Sequence, residues 1–103
     1  MKLTKTSKTI IHKIWVAWAT YARFCWDTVK DIPPQTRTYF ELTEICEADR
    51  PCGVALGEWY ALQQLAEELD INWMNYSHIS EETAAAAKEH DFYEDLIHKH
   101  AAR

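Results

Sequence analysis

Apolar and small residues recur along the first third of the chain at Ile11, Trp15, Trp18, Ala22, Cys25 and Val29. The spacing alternates between four and three, which is the seam of an α-helix packed on other helices. A second row, Ile10, Ile14, Ala17, Tyr21 and Phe24, widens that face, so the pattern predicts a long apolar helix over residues 9–30. A helix this apolar is either central in a bundle or shared with a partner. Ile32 precedes Pro33 and Pro34, which stop it: the residue before proline is pushed out of the α region, and two prolines cannot continue a helix. A second helix is predicted over 37–48, where Thr38 and Glu41 fit a capping box and Tyr39, Leu42, Ile45 and Cys46 share a face. Residues 48–53, with Pro51 and Gly53, read as a turn.

The third predicted helix covers 54–70, with Leu56, Trp59, Leu62, Leu65, Ala66 and Leu69 on one side and Glu58, Gln63, Gln64, Glu67, Glu68 and Asp70 on the other. Gly53 and Gly57 fall on one face four residues apart, a spacing that admits a close helix unless Gly53 merely serves the turn. Residues 71–79 mix Asn and Ser with aromatics and read as a loop packed down on the core. The fourth helix is predicted over 81–101, with Ser80 as N-cap, Glu81 and Glu82 in the first turn, an alanine run, and His98, Lys99 and His100 at the cationic end. Residues 1–8 are polar and basic and read as a flexible arm preceding one helical domain over 9–103. The fold expected is an all-α bundle of about four helices with a long apolar N-terminal helix at its centre.

A length of 103 residues holds one small domain and leaves no room for separate cofactor and substrate folds. With 48% hydrophobic and 26% charged residues the chain has the composition of a folded globular domain, and two glycines are too few for an all-β protein. The longest uncharged run in the first helix, nine residues from 14 to 22, is too short to span a bilayer. The start of the chain also lacks a convincing signal-peptide cleavage site. Three cysteines (Cys25, Cys46 and Cys52) in an odd count favour reduced thiols and a cytoplasmic setting.

The net charge of −5 is unevenly distributed. Residues 1–37 hold seven Lys/Arg against two Asp, and residues 38–103 hold four against fourteen Asp/Glu. The acidic part repels a nucleic-acid backbone and attracts a basic protein surface. Helices two and three superficially suit a helix-turn-helix, but the third presents Glu58, Glu67, Glu68 and Asp70 with no Lys or Arg after Gly57, which disfavours direct DNA binding. A nucleic-acid reading rests instead on Lys2, Lys5, Lys8 and Lys13.

Other constellations carry less. His90, Glu94 and His98 recur at i, i+4 and i+8, but a charged solvated helix end explains them better than a metal site, because the spacing is loose and no second ligand-bearing segment exists. Cys46 and Cys52 lie too far apart for a zinc knuckle and Cys25 is distant in sequence, so all three read as small buried apolar residues. No motif specifies a reaction, and neither cofactor nor metal is expected. Ten Trp and Tyr exceed what one small core usually absorbs, which points to exposed aromatics of the kind that anchor interfaces.

The expectation is therefore a non-enzymatic interaction module that binds, and modulates or inhibits, a larger protein or complex. Trp15, Trp18, Trp26, Trp59 and Trp73 are the candidate anchors and Glu58, Glu67 and Glu68 the charged rim. Stand-alone proteins of this profile are often accessory proteins of phages or mobile elements, an association rather than a derivation. The alternative is a small nucleic-acid-associated regulator using the basic N-terminal segment. A second copy covering the wide first helix would make a homodimer.

Overall fold

The computed structural model describes residues 4–74, 76 and 79–103. Its elements are α1 (Lys5–Val29), α2 (Tyr39–Ala48), α3 (Arg50–Glu68) and α4 (Glu81–His100), an all-α bundle of four helices with a long N-terminal one. Lys2, and Asn75, Ser77 and His78 of the predicted loop, lie outside the described residues.

α1 begins at Lys5, four residues before the predicted start at 9. The Thr4 side chain accepts from the Ser7 backbone N–H at 3.0 Å, so a polar N-cap, not a hydrophobic residue, sets the start. Lys5 and Lys8, expected in a flexible arm, are exposed residues of the first helical turns. α1 buries Ile10, Ile11, Ile14, Trp15, Ala17, Ala19, Tyr21, Ala22, Cys25 and Val29, which are both predicted rows with Ala19 added and Trp18 and Phe24 half-buried. Each large side chain among them contributes about 1.5–3 kcal/mol when fully buried.

The capping box of α2 forms: the Glu41 N–H donates to Thr38 Oγ1 at 3.2 Å, and the Thr38 N–H donates back to the Glu41 carboxylate at 3.2 Å. The segment expected as a turn over 48–53 contracts to Asp49 alone, because Pro51 stands in the first turn of α3, where its missing N–H costs nothing. Gly53 serves that junction: a Cβ there would stand 3.2 Å from the Glu47 carbonyl oxygen. Gly57 has nothing within 4 Å of such a Cβ, so no helix docks on the pair.

The Ser80 hydroxyl caps α4 by accepting from the Thr83 N–H at 3.1 Å. Residues 30–38 then close over the far end of α4. Gln35, in the left-handed region at φ 64°, donates from its backbone N–H to His100 O at 2.9 Å and from its side chain to Lys99 O at 2.7 Å. The Ala102 N–H donates to Arg37 O at 2.7 Å, and the His100 ring nitrogen donates to Ile32 O at 2.6 Å. Helix-end carbonyls that would otherwise lack donors are satisfied in this way.

α1 packs against α2, α3 and α4, whereas the backbones of α3 and α4 do not come close to each other among the described residues. The core is accordingly strung along α1 as three clusters. One joins Tyr21, Cys25 and Val29 to Leu42, Cys46, Cys52, Ala55, Ile97 and Ala101. A second joins Ile11 and Trp15 to Ala86 and Ala87, and the third joins Ile10 and Ile14 to Ala66. The molecule is elongated, 47 × 22 × 20 Å.

Candidate functional site

Four of the five tryptophans converge between α1, α3 and the loop after α3. Trp15 lies 5.2 Å from Trp18 and 5.7 Å from Trp73, and Trp18 lies 4.7 Å from Trp59 and 5.4 Å from Trp73, ring centre to ring centre. Tyr76 meets Trp15 edge-on at 4.6 Å, and His90 of α4 leans on Trp18 at 4.3 Å. The Trp15 N–H donates to Trp73 O at 2.9 Å and holds the loop against α1. Trp15 is only 4% exposed and is core rather than an anchor. Trp18, Trp59 and Trp73 are half-buried and spend their faces largely on one another. Trp26 stands apart at the other end, half-buried and edge-on to His100 at 5.4 Å. Four tryptophans are absorbed in a cluster beneath the loop, which sequence periodicity along separate helices has no means of pairing, while Phe40, Tyr60 and Phe92 stay exposed.

The predicted carboxylates are exposed but do not share a face. Glu58 and Glu67 are nine residues apart, about two and a half helical turns, and so project from opposite flanks of α3. The His90, Glu94 and His98 series also separates. His90 is buried with its Nδ1 3.1 Å from the Asp91 carboxylate, whereas His98 stacks flat on Tyr39 at 4.1 Å with its Nε2 3.2 Å from Glu94. Tyr39 in turn donates its hydroxyl hydrogen to Glu94. Burial first, and then this carboxylate, push the Tyr39 hydroxyl well above its ordinary pKa. Among the described residues no group of three His, Cys, Asp or Glu side chains is arranged to hold a metal.

Large apolar side chains are exposed on every helix, among them Phe40 of α2 and Phe92 of α4, and on α3 several of them share one flank. Val54, Glu58, Ala61, Leu65 and Leu69 follow one another at spacings of four, three, four and four, one flank of the helix. Val54, Leu65 and Leu69 are 65%, 40% and 52% exposed. Periodicity predicts Leu65 and Leu69 on the buried side. The structure keeps Leu56, Trp59, Leu62 and Ala66 of that side turned inward, adds Cys52 and Ala55, and leaves Leu65 and Leu69 exposed. Small residues at 55 and 66 let α1 approach closely; Ala66 is on the predicted side, and Ala55 is the one that size-based periodicity passes over.

Beside the C-terminal half of this row, α1 and α3 leave a groove of about 310 Å³ lined by Lys5, Thr6, Thr9, Ile10, Lys13, Leu62 and Leu65. Ile10, Leu62 and Leu65 give it an apolar lining, and two lysines stand on its α1 side. Lys5, Lys8 and Lys13 are all exposed, and the first and last of them belong to this groove. The surface can therefore offer apolar contact along α3 with cations on one side and Glu58 within the row.

Compared with protein-family models, with curated proteins and with solved structures, the chain matches none.

Proposed function

We propose that the protein is a non-enzymatic interaction module that binds and modulates a larger protein target, using the exposed flank of α3 and the groove beside it. The observation that carries this reading is the row Val54, Leu65 and Leu69, three large apolar side chains left to solvent along one side of a helix whose opposite side is packed. Large apolar side chains left exposed along one helix flank are of the kind that mark interaction sites. Sequence reasoning placed the anchors on the tryptophans. Since four of those rings are engaged with one another and Trp26 lies against His100, the anchors are placed on α3 and the acidic contribution stays at Glu58.

The test is recovery of partners by a tagged chain from its source cell at moderate salt, comparing wild type with the triple variant Val54→Ser, Leu65→Ser, Leu69→Ser. Substitutions at exposed positions leave stability nearly unchanged, which a thermal melt verifies. Wild type is expected to recover a stoichiometric protein that the variant loses. Equal recovery by both removes this surface from consideration. Recovery of nuclease-sensitive nucleic acid instead, dependent on Lys5, Lys8 and Lys13, replaces the proposal with a regulator that binds polyanions.

A further inference from the structure

The three cysteines, scattered in sequence, meet in one buried cluster with Tyr21, Val29 and Leu42. Two of them are forced together by the α2–α3 junction. Asp49 is the single residue between the helices, and Gly53 lets the start of α3 press against the Glu47 carbonyl. Cys46, in the last turn of α2, then faces Cys52, in the first turn of α3, and the Cys46 thiol donates to Cys52 Sγ at 2.7 Å. A disulfide bond is about 2.0 Å long, so closing it requires the sulfurs to move by well under an ångström.

We propose that Cys46 and Cys52 form an oxidisable dithiol, a site for an intramolecular disulfide that joins α2 to α3 and that small-molecule disulfides close and thiols reopen. The pair is asymmetric. Cys52 is the third residue of α3, where free backbone N–H groups and the helix dipole favour an anion, and it receives the hydrogen bond from Cys46. Burial raises the Cys52 thiol, but its bonds with Cys46 and Thr28 pull it back down, while neighbouring Cys25 and burial drive Cys46 far up. Cys52 is accordingly the attacking sulfur. Its thiolate displaces one thiolate from a disulfide such as oxidised glutathione, giving a mixed disulfide. The Cys46 thiolate then attacks the Cys52 sulfur, forming the Cys46–Cys52 bond and expelling the second thiolate. The two protons given up by the cysteines end on the two thiols released. Both sulfurs are shielded from solvent, so access depends on transient opening of the α2–α3 corner. This inference is independent of the surface assigned to partner binding.

The experiment is incubation of the reduced full-length protein with oxidised glutathione, followed by intact mass and a non-reducing digest that cleaves after Glu47. Loss of two hydrogens, a linked pair of peptides carrying Cys46 and Cys52, and full reversal by dithiothreitol are expected. Cys25→Ser should retain the linkage, and Cys46→Ser and Cys52→Ser should abolish it. An unchanged mass with all three thiols still alkylated after unfolding overturns the proposal. So does a persistent glutathione adduct, or a linkage that maps to Cys25 in the wild type. The wild-type peptide map decides the matter even where a serine variant fails to fold.

Discussion

His90 shows how one side chain can be packed well and bonded poorly. Its ring rests on Trp18 and it is 7% exposed, yet its Nε2 is buried with no hydrogen-bond partner. An unsatisfied buried polar atom costs about 1–3 kcal/mol, while the bond from Nδ1 to Asp91 is at the surface and worth little. His90→Phe keeps the ring against the tryptophan and removes the orphan nitrogen. It is expected to leave chemical-denaturation stability unchanged or raise it by up to about 1 kcal/mol, and a comparable loss would show that the imidazole has a partner in solution. Tyr39 gives a prediction with the pH axis. Its folded-state pKa is raised above the ordinary value near 10 by burial and by Glu94. The native state therefore holds a proton that the unfolded chain gives up. The stabilising contribution is complete below pH about 10 and is lost as pH rises beyond it. Tyr39→Phe cannot ionise, so thermal melts at pH 8 and pH 11 should show a smaller fall for the variant than for wild type. An equal fall would assign the alkaline loss to other groups, among them Tyr21, which burial raises in the same direction.

Helix boundaries were legible where a local rule decides them and illegible where two rules compete. Thr38 with Glu41, and Ser80 before an acidic first turn, announced the starts of α2 and α4, and both caps form. The start of α3 was misplaced because Pro51 and Gly53 are turn residues by composition, whereas a proline in the first helical turn and a glycine against a neighbouring carbonyl are equally good physical solutions. On the predicted side of α3, Leu56, Trp59, Leu62 and Ala66 do turn inward, and Leu65 and Leu69 do not, for a different reason. Ala55 and Ala66 face α1 because close approach rewards small side chains, and hydrophobic size alone favours the leucines. The capping box makes the element-scale prediction quantitative. Thr38→Ala is expected to cost about 0.5–2 kcal/mol by loss of the N-cap. The Glu41 carboxyl, held below its ordinary range by its hydrogen bonds with Thr38, stabilises α2 above the normal glutamate pKa and loses that effect as pH falls through its folded value. Glu41→Gln should accordingly show less acid destabilisation than wild type between pH 7 and 3, and parallel acid curves would mean that the box does not persist in solution.

For the whole molecule the decisive feature is that, among the described residues, α1 is the only helix common to all three core clusters, while the α3 and α4 backbones pack on it without approaching each other. Such an arrangement admits two behaviours. Either α1 transmits any loss on one side to the other and the chain unfolds as a unit, as small domains generally do, or α3 and α4 open separately from a persistent α1. Ile11 and Ile14 discriminate between them, because both are fully buried, Ile11 against Ala86 and Ala87 of α4 and Ile14 in the cluster with Ala66 of α3. Truncating either to alanine is expected to cost about 2–5 kcal/mol. In the unit case, native-state hydrogen exchange of the slowest amides in α3 and α4 accelerates equally in both variants. The aromatic cluster argues for that case, since Trp18 of α1 touches Trp59 of α3 and both Trp15 and Trp18 touch His90 of α4. If Ile11→Ala accelerated exchange in α4 alone, α4 would be a separately opening element, and the interaction surface on α3 would be insulated from it.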